Sequence, residues 1–208
     1  WRLQKDPGLI LSDIDITRVV QASVIWQKLG QQVFGISLPE YLYGTDALEP
    51  VPSFSEWPEA WGDTFDRDTL VDGRIVEKIG LSELCRLLGL VYNGDDKTFV
   101  PFDSKRPQTG IRWMRHQNGH KNHNRTPVDC RTTFQSFEVG MDAGEGIAVY
   151  VQDPTVIQGH IMDLPGSVPT GYRDYCACLG HWSDSPGLGW NFGGNADPNY
   201  GSASRGSV

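Results

Sequence analysis

Helix-type spacing in separate segments before Gly159, an Asn-Gly hairpin signal among them, and strand-and-turn texture beyond Gly159 predict an α+β fold in a single domain. The expected layout is a long N-terminal helix, a central hairpin with helices, and a mostly antiparallel C-terminal sheet. A chain of 208 residues with 38% hydrophobic content can bury the core that such a domain needs.

Ser12 and Asp15 spell a capping-box start, and Val19, Ala22, Trp26, Leu29 and Val33 then recur at helical spacing up to Gly35. Residues 38–69 are rich in proline, acid and aromatics without a sustained period, so they read as a long acidic aromatic arm that Phe54, Trp57 and Trp61 could anchor. A second helix is expected from Ser82 to Gly89, with Leu84, Leu87 and Leu88 inward. Leu90–Tyr92 and Thr98–Val100 around Asn93-Gly94 predict a β-hairpin, and that hairpin excludes the recognition helix that IGLSELCRLLGL would otherwise introduce. Thr126-Pro127 opens another helix, read to about Phe137, and Asp142 with Glu145 opens a further one that breaks at Asp153-Pro154. Strands are expected in HIMDLPGSV, DYCACLGHW and LGWNF, followed by a Gly/Ser-rich tail over 193–208.

The formal charge of −8 argues against wholesale nucleic-acid binding, which needs a basic face strong enough to displace counterions. No apolar run approaches the roughly 18 residues of a membrane span, so no membrane partner is expected. Four cysteines without a repeating framework (Cys85, Cys130, Cys176, Cys178) point to reduced thiols and a cytoplasmic setting.

Charge is segregated nonetheless. From Glu40 to Glu77 the chain carries ten acids and two bases, whereas RWMRHQNGHKNHNRTPVDCR, from Arg112 to Arg131, carries five bases, one acid and three of the five histidines. Read as a helix, the stretch would set His116, His120 and His123 on one face at metal-ligand spacing, but Asn118, Gly119, Asn122 and Asn124 are poor helix residues. Read as a hairpin turning at Asn118-Gly119, it gathers Arg112, His116, Lys121, His123 and Arg125 on one face with His120 on the other, a cationic strip suited to a phosphate or carboxylate. The helix start beside Arg125 adds free N–H groups. The alternative is that Arg112, Arg115 and Arg125 pair with the acidic Glu40–Glu77 arm across the surface.

Cys176, Cys178 and His181, with Cys130, resemble a ligand set only in composition, because on a strand His181 faces away from the two thiols; the cysteines read as core. Glu138, Asp142 and Glu145 could supply acid–base chemistry, but the last two already have a capping role. No P-loop, dinucleotide fingerprint or nucleophile elbow occurs, so no cofactor and no metal site is assigned.

At TPVDCR, EGIAVY, DLPGS, CACLGHW and GSASRG, and at YNGDDKTFVPFD, the chain resembles a family of uncharacterised bacterial proteins. The resemblance implies a bacterial, intracellular origin and carries no activity or site residue with it.

The sequence alone thus leads to a binding or interaction protein whose basic patch takes a small anionic ligand or an acidic protein surface. A metal-assisted hydrolase using clustered His and Cys is the alternative. A third is a subunit-interface role in a homo-oligomer, with the seven tryptophans lining the contact.

Overall fold

A computed structural model describes residues 13–44, 58–103 and 110–207. The N-terminal helix is nearly continuous: α1 (Asp13–Ile25) runs through a π-helical stretch, Trp26–Gly30, into α2 (Gln31–Phe34). Of its predicted inward face Ala22, Leu29 and Val33 are buried, Val19 and Trp26 are half-buried, and Ile25 joins the buried set. The backbone turns left-handed at Gly35, and the Trp26 indole N–H donates to the Ile36 carbonyl at 2.9 Å, fixing the exit. Ser12, the expected cap, lies outside the described residues, as do Phe54 and Trp57 of the arm.

The described part of the arm is anchored at both ends. In α3 (Leu38–Gly44) the buried Tyr41 hydroxyl donates to Asp72 at 3.0 Å, and Trp61 and Phe65 pack with Phe137 in a small aromatic cluster. The chain then enters β1 (Arg67–Asp72), whose last residue caps α4 (Gly73–Leu88) by accepting from the Arg74 amide. The helix expected from Ser82 is the second half of α4; a break at Gly80 (φ 72°) separates the halves, and Asp96 accepts from the Ser82 amide at 2.8 Å to restart the second.

The Asn93-Gly94 hairpin does not form. Val91 bridges to Gly187, and β2 (Phe99–Pro101) pairs with β6 (Ser167–Pro169), so each flank of the turn finds its partner in the C-terminal half. The Asn118-Gly119 turn is not a hairpin either. After β3 (Ile111–Gln117) the chain passes through Gly119 (φ 98°) into a 3-10 turn, His120–Asn122, and returns along no strand.

Two four-stranded sheets carry the fold. One has the order β1-β3-β10-β4, all antiparallel, with β4 at Glu138–Gly140 and β10 at Ser204–Gly206. The other has the order β8-β7-β5-β9, from β5 (Ile161–Leu164), β7 (Tyr175–Trp182), β8 (Ser185–Phe192) and β9 (Tyr200–Ser202). It is antiparallel except for β5–β9, as expected of a mostly antiparallel C-terminal sheet. The stretch 193–208, which reads as a Gly/Ser tail, supplies a strand to each sheet. Gly201 through Gly206 are all buried, and small residues are what fit there: a Cβ on Gly206 would enter the Trp61 ring.

Two helices pack on the sheets: α5 (Pro127–Thr133), capped by Thr126 with Pro127 at its first turn, lies against β9, and α6 (Ala143–Gln152), opened by the reciprocal Asp142/Glu145 capping box, touches strands of both sheets. The first stops at Thr133, short of the expected Phe137. The second packs so closely on β5 that a Cβ on Gly146 would sit 2.5 Å from Leu164. Glu145 does more than cap: fully buried, its Oε1 accepts from Arg112 at 2.6 Å and from Arg205 at 2.5 Å, joining α6, β3 and β10. No helix among the described residues is long and apolar enough to cross a membrane.

Two consequences are measurable. Glu145→Gln strands two guanidinium groups and is expected to cost about 3–5 kcal/mol in chemical denaturation. Burial raises the Asp163 carboxyl to about 7, and its Oδ2 has no partner among the described residues. Ionisation therefore precedes in the unfolded chain, and this site destabilises the fold progressively as pH rises from about 4 to 7, by a few kcal/mol at most. Denaturation across that range should show Asp163→Asn gaining on the parent protein as pH increases; a constant difference would contradict it.

Candidate metal centre

Three imidazoles meet at the junction of the two sheets. His120 opens the 3-10 turn after β3, and His123 is the residue that ends it, where the chain bridges to Gly201. His160 comes from the residue just before β5. Their ring centroids lie 4.3 to 4.9 Å apart, and one ligating nitrogen from each falls within 4.8 Å of the others.

The turn is held there by backbone packing. Gly119 and Gly201 approach so closely that a Cβ on either would collide with the other's carbonyl, and His123 bridges to Gly201. Side-chain amides complete the seam. Asn122 donates to the Ser202 carbonyl at 2.8 Å, and Gln117 donates to the same oxygen at 2.9 Å and to the Ser204 hydroxyl at 2.7 Å.

His160 is buried, and its Nε2 lies 3.0 Å from the Asn118 carbonyl oxygen, which fixes Nε2 as the protonated nitrogen. Nδ1 is then the unprotonated nitrogen, and it accepts a hydrogen bond from His123 Nε2 at 2.7 Å, the contact that an ion would replace. A histidine whose far nitrogen donates to a carbonyl while the near one points at its neighbours has the tautomer that metal sites use. Burial lowers the His160 pKa to about 4, and burial followed by the charge of His123 lowers that of His120, so both are neutral donors at physiological pH. His120 is exposed and His160 buried, so the group has an inner anchor and a side open to solvent.

The surroundings are charged. Lys121 Nζ donates to the carbonyls of Asp63 and Thr64 at 2.5 and 2.9 Å and lies 3.7 Å from Asp66, while the Asp66 amide donates to the His116 carbonyl. The end of the acidic arm is thereby tied to the histidine turn.

The five residues expected to form an anion-binding face do not share one. Arg112 is committed to Glu145; His116 is buried with Nε2 2.8 Å from the Thr69 hydroxyl and a pKa lowered by burial to about 4; Lys121 holds the arm; His123 belongs to the trio; and Arg125 donates to Asn122 and Thr133. The strip required the hairpin at Asn118-Gly119, and its absence disperses them. Of the arginines expected to pair with the acidic arm, Arg115 stands opposite Asp68 in the register of β1 and β3, whereas Arg112 and Arg125 turn to other partners; Lys121 is the base that meets Asp66.

His120, assigned to the far side, and His160, not singled out at all, replace His116 in the cluster. No spacing in the sequence connects His160 to the other two; its place follows from β5 lying beside β9. Cys130, Cys176 and Cys178 are buried free thiols and His181 is exposed, so the cysteine set does not converge. Among the described residues the trio is the group of His, Cys, Asp or Glu side chains placed to hold an ion. The chain matches no family model, no curated protein and no solved structure.

Gly119→Ala is expected to destabilise the protein by more than about 1 kcal/mol, because alanine meets both an unfavourable φ and the Gly201 carbonyl. The His120, His123 and His160 imidazole resonances should shift together in its NMR spectrum, while His181 stays in place.

Proposed function

We propose that this protein binds a divalent transition-metal ion through His120, His123 and His160 and acts as a metal-assisted hydrolase. The observation that carries the reading is the convergence of three imidazole nitrogens within 4.8 Å, one of them locked in tautomer by a backbone carbonyl. A ligand set of nitrogen without thiolate or carboxylate suits zinc, nickel, copper or cobalt better than magnesium or calcium.

Three protein ligands and an exposed side are the coordination pattern of catalytic sites, whereas structural zinc is closed by a fourth. An ion held there supplies Lewis acidity to a water or substrate oxygen on its open side. The protein's own part is to anchor His160, to hold His120 and His123 through the Gly119–Gly201 seam, and to keep Asp66 and Lys121 beside the opening. A small anionic ligand, expected from the sequence at a basic strip, finds its positive partner in the ion instead.

The test is metal content and affinity. Untagged protein incubated with zinc and desalted should retain one equivalent per chain by mass spectrometry. His123→Ala and His160→Ala should each weaken binding by more than the roughly 10–100-fold that loss of an outer-shell partner costs, and His181→Ala should not. Hydrolysis of activated carboxyl and phosphate esters should follow the bound metal and disappear with chelator. Retention of zinc by both variants at the parent affinity would remove the site, and stoichiometric binding with no hydrolysis of either ester class would remove the enzyme.

A further inference from the structure

A cavity of about 580 Å³ opens between the N-terminal helix, α4, α6 and β2, and it shares no lining residue with the histidine centre. Its walls are hydrocarbon, formed by Leu29, Ile75, Ile79, Leu84, Phe99 and Val151 among others. Close-packed interiors leave few voids larger than a water molecule, so a space of this volume has the size of a small-molecule pocket and not of a packing defect.

Five carboxylates and two bases also line it: Asp72, Glu77, Asp96, Asp142 and Glu145 against Lys78 and Arg112. The inner charges are compensated within the protein. Asp72 accepts from Tyr41 and Arg74, Glu145 accepts from Arg112 and Arg205, and Asp142, at the first turn of α6, takes the Glu145 amide. Both bases are engaged as well, Arg112 with Glu145 and Lys78 with its ammonium 5.0 Å from the centre of the Phe34 ring. The interior therefore presents hydrocarbon to whatever enters.

The mouth is different. Glu77 and Asp96 are exposed there, and neither has an ion-pair partner among the described residues. Asp96 receives the Ser82 amide, and its carboxylate rests against Gly80 at the break of α4, where a Cβ would collide with it. The glycine thus lets a carboxylate stand at the edge of the apolar space.

Hydrocarbon walls below an uncompensated acidic rim fit a molecule with an apolar body and a cationic head, and they repel an anion of the same length. We infer that the cavity binds an amphiphilic amine, its body along the apolar walls and its ammonium at Glu77 and Asp96. The site does not depend on the histidine centre.

The experiment is a titration of straight-chain primary amines of about six to ten carbons, each beside the alcohol and the carboxylate of the same length, by calorimetry and thermal shift. Chelator-treated protein is used so that no ion can capture the amine. The amines should bind with a Kd below about 1 mM, roughly tenfold tighter than the alcohols, with the carboxylates weakest and the preference narrowing as salt is added. The double variant Glu77→Gln, Asp96→Asn, which keeps an oxygen for the Ser82 amide, should bind amines no better than alcohols while its alcohol affinity stays at the parent value. Ala148→Leu, which builds side chain into the cavity, should lose the response to both. The proposal is overturned if no amine binds below about 1 mM, or if alcohols or carboxylates bind as well as amines. It is equally overturned if the double variant keeps the amine preference, or if the Ala148→Leu variant binds unchanged.

Discussion

The contact on which most of the arrangement depends is the passage of one glycine backbone against another, Gly119 over Gly201. It requires a left-handed residue at the end of β3 and a residue without a side chain at the centre of β9, and it leaves room for nothing larger at either position. Because the turn is pressed against β9, it closes as a 3-10 turn in place of a hairpin. His120 and His123 therefore face the residue that leads into β5.

The C-terminal segment is the other half of that constraint. Strand β9 lies beside β5 in one sheet and β10 lies between β3 and β4 in the other, so seven consecutive residues, 200–206, stitch the two sheets together. Arg205 then reaches the buried Glu145, which also takes Arg112, and the capping box of α6 is fixed to the two inner strands of the first sheet by charge-assisted hydrogen bonds. A buried ion triad of this kind defines an arrangement more than it adds net stability, since its desolvation offsets much of its attraction. Here it defines which way α6 points its first turn, and so where the polar end of the neighbouring cavity lies.

Local chemistry made much of this legible. Thr126-Pro127, the Asp142/Glu145 box, Gly35, Gly89 and the Asp153-Pro154 break each act within a few residues of themselves, and each is where the sequence puts it. What the sequence could not reveal depends on distant partners. Asn93-Gly94 and Asn118-Gly119 are good hairpin turns in isolation, but Phe99 and its neighbours are claimed by β6, and Gly119 is claimed by Gly201. GSASRG has the composition of a flexible tail because buried positions between two layers select the same small residues that linkers use. The basic strip is dispersed for a related reason: strand alternation does not carry through a 3-10 turn, so His120 lies on the side of His123, and His160 joins them only through the pairing of β5 with β9.

The histidine centre is the claim on which function rests, and its coordination can be read directly. X-ray absorption at the zinc edge, on protein loaded with one equivalent, should show three imidazole nitrogens at about 2.0–2.1 Å and one oxygen completing the shell. A first shell containing thiolate sulfur at about 2.3 Å, or oxygen alone, would contradict it.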